Sequence, residues 1–217
     1  MQFHTPDGLT EIEVTHLFVA GWTGRDHAKV AHHIAELAAI GVAPPSRTPL
    51  FYRTSAPLLR QADSVEVLGP GTSGEVEPLL VQGAGGLWLG LASDHTDRAL
   101  EAHSVAHSKQ VCPKPAARQL WPLADVAGHL DQLVLSCDIQ EDGTWLRYQH
   151  GTLAAIRPLP ELLEACPLPE GGAMLCGTLA AIGGVREARA YRMALTDPVL
   201  GREITLAYHV RPLAVVS

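Results

Sequence analysis

Two glycine-rich clusters, Gly69-Pro70-Gly71-Thr72-Ser73-Gly74 and Gly83-Ala84-Gly85-Gly86, bracket the run Glu75-Val76-Glu77-Pro78-Leu79-Leu80-Val81. Turn chemistry at both ends of a short apolar run predicts a strand, and Leu87 to Leu91 beyond the second cluster makes it half of a β-hairpin. Successive side chains on a strand leave opposite faces, so Glu75 and Glu77 share one face while Val76 takes the other. The second strand runs into Ser93-Asp94 and returns a third acid toward the two glutamates. Three carboxylates brought together repel unless a cation neutralises them, and oxygen donors select a hard one, Mg²⁺ or Mn²⁺ ahead of Zn²⁺. Spacing alone also fits one solvated strand face, the commoner origin of an E-x-E pair. The three acids therefore stand as candidate ligands.

Before this hairpin, Thr10 to Ala20 alternate loosely through Ile12, Val14 and Leu17 and predict a first strand. The period then changes. Thr23 followed by Asp26 matches the spacing of a capping box, and Val30, Ile34, Leu37 and Ala38 recur at helical spacing as far as Gly41. On the other face of this predicted helix stand Lys29, His32, His33 and Glu36, with His33 and Glu36 neighbours at i,i+3; a solvated face is the commoner meaning of such a pair. Pro44-Pro45-Ser46-Arg47-Thr48-Pro49 predicts an extended connector, because proline fixes φ and excludes the helical region from the residue before it. Leu50 to Tyr52 and Ser64 to Leu68 predict short strands.

After Asp94, Thr96 to Gln110 has a helical pattern with Leu100, Val105 and Ala106 inward. His103 and His107 at i,i+4 have a spacing that can bind a metal, but with no carboxylate or cysteine at matching spacing they fit a solvated or core-edge pair better. Lys109 closes this segment, where capping the helix C-terminus is the ordinary role of a lysine. Leu133 to Ile139 and Trp145 to Gln149 predict strands about a turn at Glu141 to Thr144. Pro160 to Ala165 predicts a short helix, Ala173 to Cys176 a strand running into Gly177-Thr178, and Ile182-Gly183-Gly184-Val185 a tight turn ahead of an anion-cradling loop. Ala190 to Leu195 and Ile204 to Val210 are the last predicted strands.

A chain of 217 residues fits one large domain. Its 47% hydrophobic and 18% charged residues are those of an ordinary folded protein, and a formal charge of −7 argues against nucleic acid or an anionic membrane as partner. The four cysteines show no C-x-x-C spacing, which favours a reducing cytoplasm over a disulfide framework. Neither a signal-like start nor an uninterrupted membrane-length apolar run is present.

In this order, the motifs resemble those of the fumarylacetoacetate hydrolase superfamily. Glu75-Val76-Glu77 is similar to its E-x-E, Asp94-His95-Thr96-Asp97-Arg98 to its D-x-[ST]-A-R, and Gly24-Arg25-Asp26 with His33-Ile34-Ala35-Glu36 to the G-R-N and H-x-x-E of its small members. Lys109 resembles the active-site lysine and Gly177-Thr178 the start of a G-T-P-x-G-V loop. Leu179 stands where that loop has proline, Asp97 where alanine is usual, and Arg53 replaces a lysine. The resemblance implies an α+β, β-rich fold, a mixed β-sheet roll with peripheral helices, filling residues 1–217 as one domain: an N-terminal strand and lid-like helix over 1–45, and the roll over 46–217. It implies Mg²⁺ or Mn²⁺ on Glu75, Glu77 and Asp94, a water-activating His33–Glu36 dyad, catalytic Lys109, and substrate contacts from Arg25, Arg98, Gly177 and Thr178. The implied activity is hydrolytic or lytic C–C cleavage of a small oxo acid through a metal-bound enolate, in a homodimer. Decarboxylation, hydration, tautomerisation and a non-catalytic ligand-binding module are the alternatives on the same scaffold.

Overall fold

The computed structural model describes residues 1–39, 43–83 and 85–216, with the side chains of residues 33, 36 and 37 outside that description. In chain order the strands of its two main sheets are β1 (His16–Gly21), β2 (Leu50–Thr54), β3 (Ser64–Leu68), β4 (Val76–Gly83), β5 (Gly86–Ser93), β6 (Trp121–Pro122), β7 (Val134–Glu141), β8 (Thr144–Thr152), β9 (Gly172–Leu175), β10 (Ala190–Asp197) and β11 (Arg202–Leu213). Six form one sheet in the order β6-β5-β4-β9-β1-β2, and five form the other as β8-β7-β10-β11-β3. Pairing is antiparallel except where β9 lies beside β1 and β11 beside β3. The helices α1 (His27–Ala39), α2 (Arg98–Glu101), α3 (Val105–Gln110), α4 (Leu123–Val126) and α5 (Leu159–Ala165) are peripheral. The β-rich mixed fold expected from the sequence is the one observed. No helix among the described residues is long and apolar enough to cross a membrane.

The two sheets differ in burial, and the sequence shows why. Strand β11 alternates, with Ile204, Leu206, Tyr208 and Val210 buried and the residues between them exposed, as a sheet with one solvated face requires. In β4 the run Val76 to Val81 is buried throughout. Leu80, with Leu89, Leu91 and Met174, faces Leu135, Ile139, Met193 and Leu195 of the second sheet. Leu79 and Val81 face the opposite way, onto Phe3, Ile12, Trp88 and Leu120. The six-stranded sheet is thus covered on both faces, and each leucine fully buried in it contributes roughly 1.5–3 kcal/mol.

Three local expectations are corrected. The predicted strand Thr10 to Ala20 is broken: Gln2–Thr5 and Gly8–Glu11 form their own hairpin, and β1 begins only at His16. Ile12 and Leu17 enter the same cluster although five residues separate them, which one straight strand would place on opposite faces. The helix cap is Asp26 rather than Thr23, since Asp26 Oδ1 accepts from the backbone N–H groups of Ala28 (3.0 Å) and Lys29 (3.2 Å). The predicted stop at Gly41 lies outside the described residues. Thr96 to Gln110 divides into α2 and α3, because Asp97 caps the first and Ser104 the second, from inside what periodicity reads as one helix.

The turn after β10 hangs on the fully buried Asp197 carboxylate. Its Oδ1 accepts from the N–H groups of Val199 and Leu200, both at 3.1 Å, and meets His129 Nε2 at 3.0 Å; Arg202 Nε donates to Oδ2 at 3.3 Å. Burial alone would raise this carboxyl, but the Leu200 N–H and His129 hold it below its usual value. A depressed carboxyl stabilises the fold above its unfolded value near 3.8 and loses that contribution as pH falls through the folded value. Asp197→Asn is expected to cost about 2 kcal/mol at pH 7. Urea midpoints of variant and wild type should converge below pH 4; a difference that stays constant with pH would contradict the account.

Candidate active site

The hairpin register sets the acids. Val76 pairs with Ser93 and Glu77 with Ala92, so the residues just outside the ladder, Glu75 and Asp94, face each other, and the Asp94 N–H donates to the Glu75 carbonyl at 2.9 Å. One carboxylate oxygen each from Glu75, Glu77 and Asp94 lies within 4.8 Å of the others. Glu77 and Asp94 are buried, and Glu75 is half-buried. Gly74 leads into this corner because a Cβ there would stand 2.1 Å from Tyr208 Oη.

Positive charge reaches the acids from two directions. The break between α2 and α3 turns α3 so that Lys109 points inward, almost fully buried, with its Nζ ion-paired to Asp94 Oδ2. The helix-capping reading of Lys109 is therefore corrected. Beneath lies Lys114, wholly buried, whose Nζ donates to the His95 carbonyl at 2.5 Å and stands 3.1 Å from Asp94 Oδ1. Arg98 reaches Glu75 Oε1 at 3.3 Å through Nη2, donates to Glu101 Oε2 at 2.7 Å through Nη1, and donates to Ser73 Oγ at 2.6 Å through Nε.

Burial shapes the charge states. Asp94 would rise on burial alone, but Lys109 and Lys114 hold its carboxyl well below the usual range. Lys109 would fall on burial alone, but Asp94, Glu75 and Glu77 keep it charged. Glu77 goes the other way, pushed well above its usual value by burial and then by the Asp94 charge. Burial lowers Lys114 and, reinforced by Lys114 and Arg98, takes His95 down to about 3. The neutral His95 ring is held between Tyr208 Oη (2.9 Å) and Thr72 Oγ1 (2.8 Å).

The third side comes from β9 and β1. Antiparallel pairing of β9 with β4 carries Gly177 past Glu77, and the Gly177 N–H donates to Glu77 Oε2 at 2.7 Å. Thr178 Oγ1 donates to the Val76 carbonyl (2.7 Å) and accepts from Gln149 Nε2 (2.8 Å). Gln149, fully buried, also takes the Val76 N–H on its Oε1 at 2.9 Å and so joins the acidic strand to the Gly177 loop. Parallel pairing of β9 with β1 then places Trp22 and Thr23 beside that loop. Trp22 holds a left-handed backbone (φ 61°) and donates from Nε1 to Tyr52 Oη at 3.1 Å; for a bulky residue that conformation costs of order 1–3 kcal/mol and is found at functional clefts.

These groups line a cavity of about 930 Å³ that includes Glu75, Glu77, Arg98, Lys109, Gly177, Thr178 and Arg25. Arg25 is at its wall, but its guanidinium is bound to Asp131 at 2.7 and 2.6 Å and to the Ile156 carbonyl at 2.8 Å. The side chains of His33 and Glu36 lie outside the described residues. His103 and His107 are exposed and belong to no acid- or thiol-containing group among the described residues that could hold a metal. Lys114 and Gln149 were invisible as site residues, since a lysine in Cys-Pro-Lys-Pro and a glutamine on a strand read as surface until tertiary packing buries them. The prolines on either side of Lys114 were the available signal, but only for extended backbone there.

The acids suit a divalent cation. All three offer hard oxygen donors that converge, and Glu77 is raised by burial and then by the Asp94 charge, both of which a bound cation would offset. Of the three carboxylates, Asp94 is the one that Lys109 and Lys114 already hold below its usual range.

Solved structures of this architecture form a recognisable class. A Yersinia pestis CO92 protein assigned to the fumarylacetoacetate hydrolase family superposes with a TM-score of 0.69 at 18% identity, over 97% of this chain and 100% of that one. A Burkholderia cenocepacia protein assigned as a fumarylpyruvate hydrolase gives 0.64 at 18%, over 98% and 95%. A 2-keto-3-deoxy-D-arabinonate dehydratase, solved with magnesium and 2,5-dioxopentanoate, gives 0.66 at 16%, over 96% and 77%. The fold is that of fumarylacetoacetate hydrolase family structures, as the motifs anticipate. Within it, the family model described as a protein of unknown function (DUF2848) matches residues 20–208, and the chain belongs to that family. No curated protein matches the sequence.

Proposed function

We propose that this protein is a divalent-metal-dependent hydrolase or lyase acting on a small oxo acid. The observation that carries the reading is the convergence of three carboxylate oxygens within 4.8 Å, at the edge of a cavity large enough for such a substrate and beside a buried charged lysine. The fumarylpyruvate hydrolase assignment and the magnesium of the dehydratase, in neighbours of the same fold, support it.

Glu75, Glu77 and Asp94 would hold Mg²⁺ or Mn²⁺, which supplies a Lewis acid to the oxygens of a 2-oxo carboxylate or 1,3-dicarbonyl. The chain's own residues do the rest. Lys109 presents an ammonium to the cavity, where it donates to substrate oxygen as negative charge builds during bond cleavage. Arg98 fixes Glu75, and the Gly177 N–H fixes Glu77, so neither carboxylate must reorganise when charge moves. Trp22, Tyr52, Val30, Val105 and Leu179 give the remaining wall a largely apolar lining. His33 and Glu36 stand on α1, which contributes Lys29 and Val30 to the cavity; in the hydrolytic reading His33 takes the proton of the attacking water. The electron pair of the broken C–C bond passes into the oxo acid, which is reprotonated at carbon.

Acylpyruvates and oxaloacetate with Mg²⁺ or Mn²⁺ are the substrates to test, with products identified by NMR to separate C–C hydrolysis from decarboxylation, hydration and tautomerisation. Lys109→Met is expected to lower kcat/KM about a hundredfold while Mn²⁺ still binds. Absence of turnover across the panel, with oxalate still bound by the wild type, would replace the enzyme with a binding module.

A further inference from the structure

Two lysines are ion-paired with Asp94, and they reach it in different ways. Lys109 extends from a helix, lines the cavity and meets Oδ2. Lys114 is fully buried on the two-residue strand Lys114–Pro115, lies between Pro113 and Pro115, pairs in parallel with Leu59–Arg60, and forms no part of the cavity wall. Its Nζ stands 3.1 Å from Oδ1 and donates to the His95 carbonyl at 2.5 Å. The residue that carries this carbonyl is itself anchored, since the His95 ring is bonded at both nitrogens, to Tyr208 and Thr72, and Tyr208 Oη also meets Ser93 Oγ at 2.9 Å.

We propose that Lys114 is a positioning residue that makes Asp94 a one-oxygen ligand, keeping Oδ1 beneath the site so that Oδ2, which Lys109 meets from the cavity side, is the oxygen turned to Glu75 and Glu77. This rests on the metal reading of the three acids. A cation so close to a dication repels it, so as a mere neighbouring charge Lys114 would weaken metal binding, and its removal would tighten it. As an orienting group its removal has the opposite sign, since lost support of a ligand typically costs 10–100-fold in metal affinity. The sign of the change separates the two roles.

Mn²⁺ affinity is measured by calorimetry on wild type, Lys114→Met and Lys109→Met, with thermal melting as the check on folding. Lys114→Met is expected to bind Mn²⁺ about tenfold more weakly, and Lys109→Met equally or more tightly. Tighter binding by both variants would overturn the proposal. A crystal of the wild type grown with Mn²⁺ decides the matter even if Lys114→Met does not fold: Asp94 should coordinate through Oδ2 alone with Oδ1 kept on Lys114, and coordination through Oδ1 or through both oxygens overturns it. Failure of the wild type to bind Mn²⁺ would remove the metal reading and this inference together, and is recognised before any variant is compared.

Discussion

Replacing Glu77 by Gln is expected to weaken Mn²⁺ binding about a thousandfold without loss of the fold. A unit charge pair at about 4 Å is worth roughly 4 kcal/mol at an effective dielectric of 20, and about 4 kcal/mol is three powers of ten in affinity. The amide keeps the carboxylate's shape and can still accept the Gly177 N–H. It also removes one of three mutually repelling groups, so the metal-free variant should melt at or above the wild-type temperature while losing the stabilisation that Mn²⁺ confers. Calorimetric titration with thermal melts, with and without 1 mM-scale Mn²⁺, reads both effects. Equal affinity in variant and wild type would show that no cation sits between these acids.

Gly177→Ala should be the most damaging single-methyl change near the site. The residue has φ +99°, and a Cβ there would lie 1.6 Å from Thr23 Oγ1. Left-handed backbone costs an alanine roughly 1–2 kcal/mol and forced overpacking typically 1–3 kcal/mol, about 3 kcal/mol together. For a chain of this size that lowers Tm by roughly 10 °C. Any shift of the loop also moves the N–H from Glu77, so Mn²⁺ affinity should fall with stability. Gly184 is the control: its φ is +87° but nothing lies within 4 Å of the added carbon, so Gly184→Ala carries only the backbone cost. Equal melting temperatures for the two variants would refute the close approach of Gly177 to Thr23.

What the sequence made legible follows from local periodicity. The hairpin β4–β5 and the last two strands could be drawn from alternation and turn residues, and strand period alone put Glu75 and Glu77 on one face. A hairpin returning into Asp94 was enough to bring the third acid home. Where a stretch obeys two neighbours at once, the pattern misleads: Ile12 and Leu17 serve one cluster across a bend, and Ser104 starts a new helix inside an apparently continuous one. Polar residues buried by distant segments left no trace. Lys114 and Gln149 acquire their partners from residues 94–95 and 76, and the bond from Arg25, at the cavity wall, to Asp131 more than a hundred positions away was equally unreadable. The motif resemblance supplied Lys109, Arg98, Gly177 and Thr178, which spacing alone would have left as surface or turn residues. The structure brings them to one cavity with Glu75 and Glu77.

During synthesis the parallel neighbours of β1 and β3 arrive very late, since β9 and β11 follow them by about 150 residues. At roughly 5–20 residues per second a ribosome needs some ten to thirty seconds to deliver them. Throughout that interval the nascent polypeptide exposes the open edges of half-built sheets, a hazard best met by chaperones. The acid cluster waits as well, though less long, because the Gly177 N–H that binds Glu77 follows it by 100 residues.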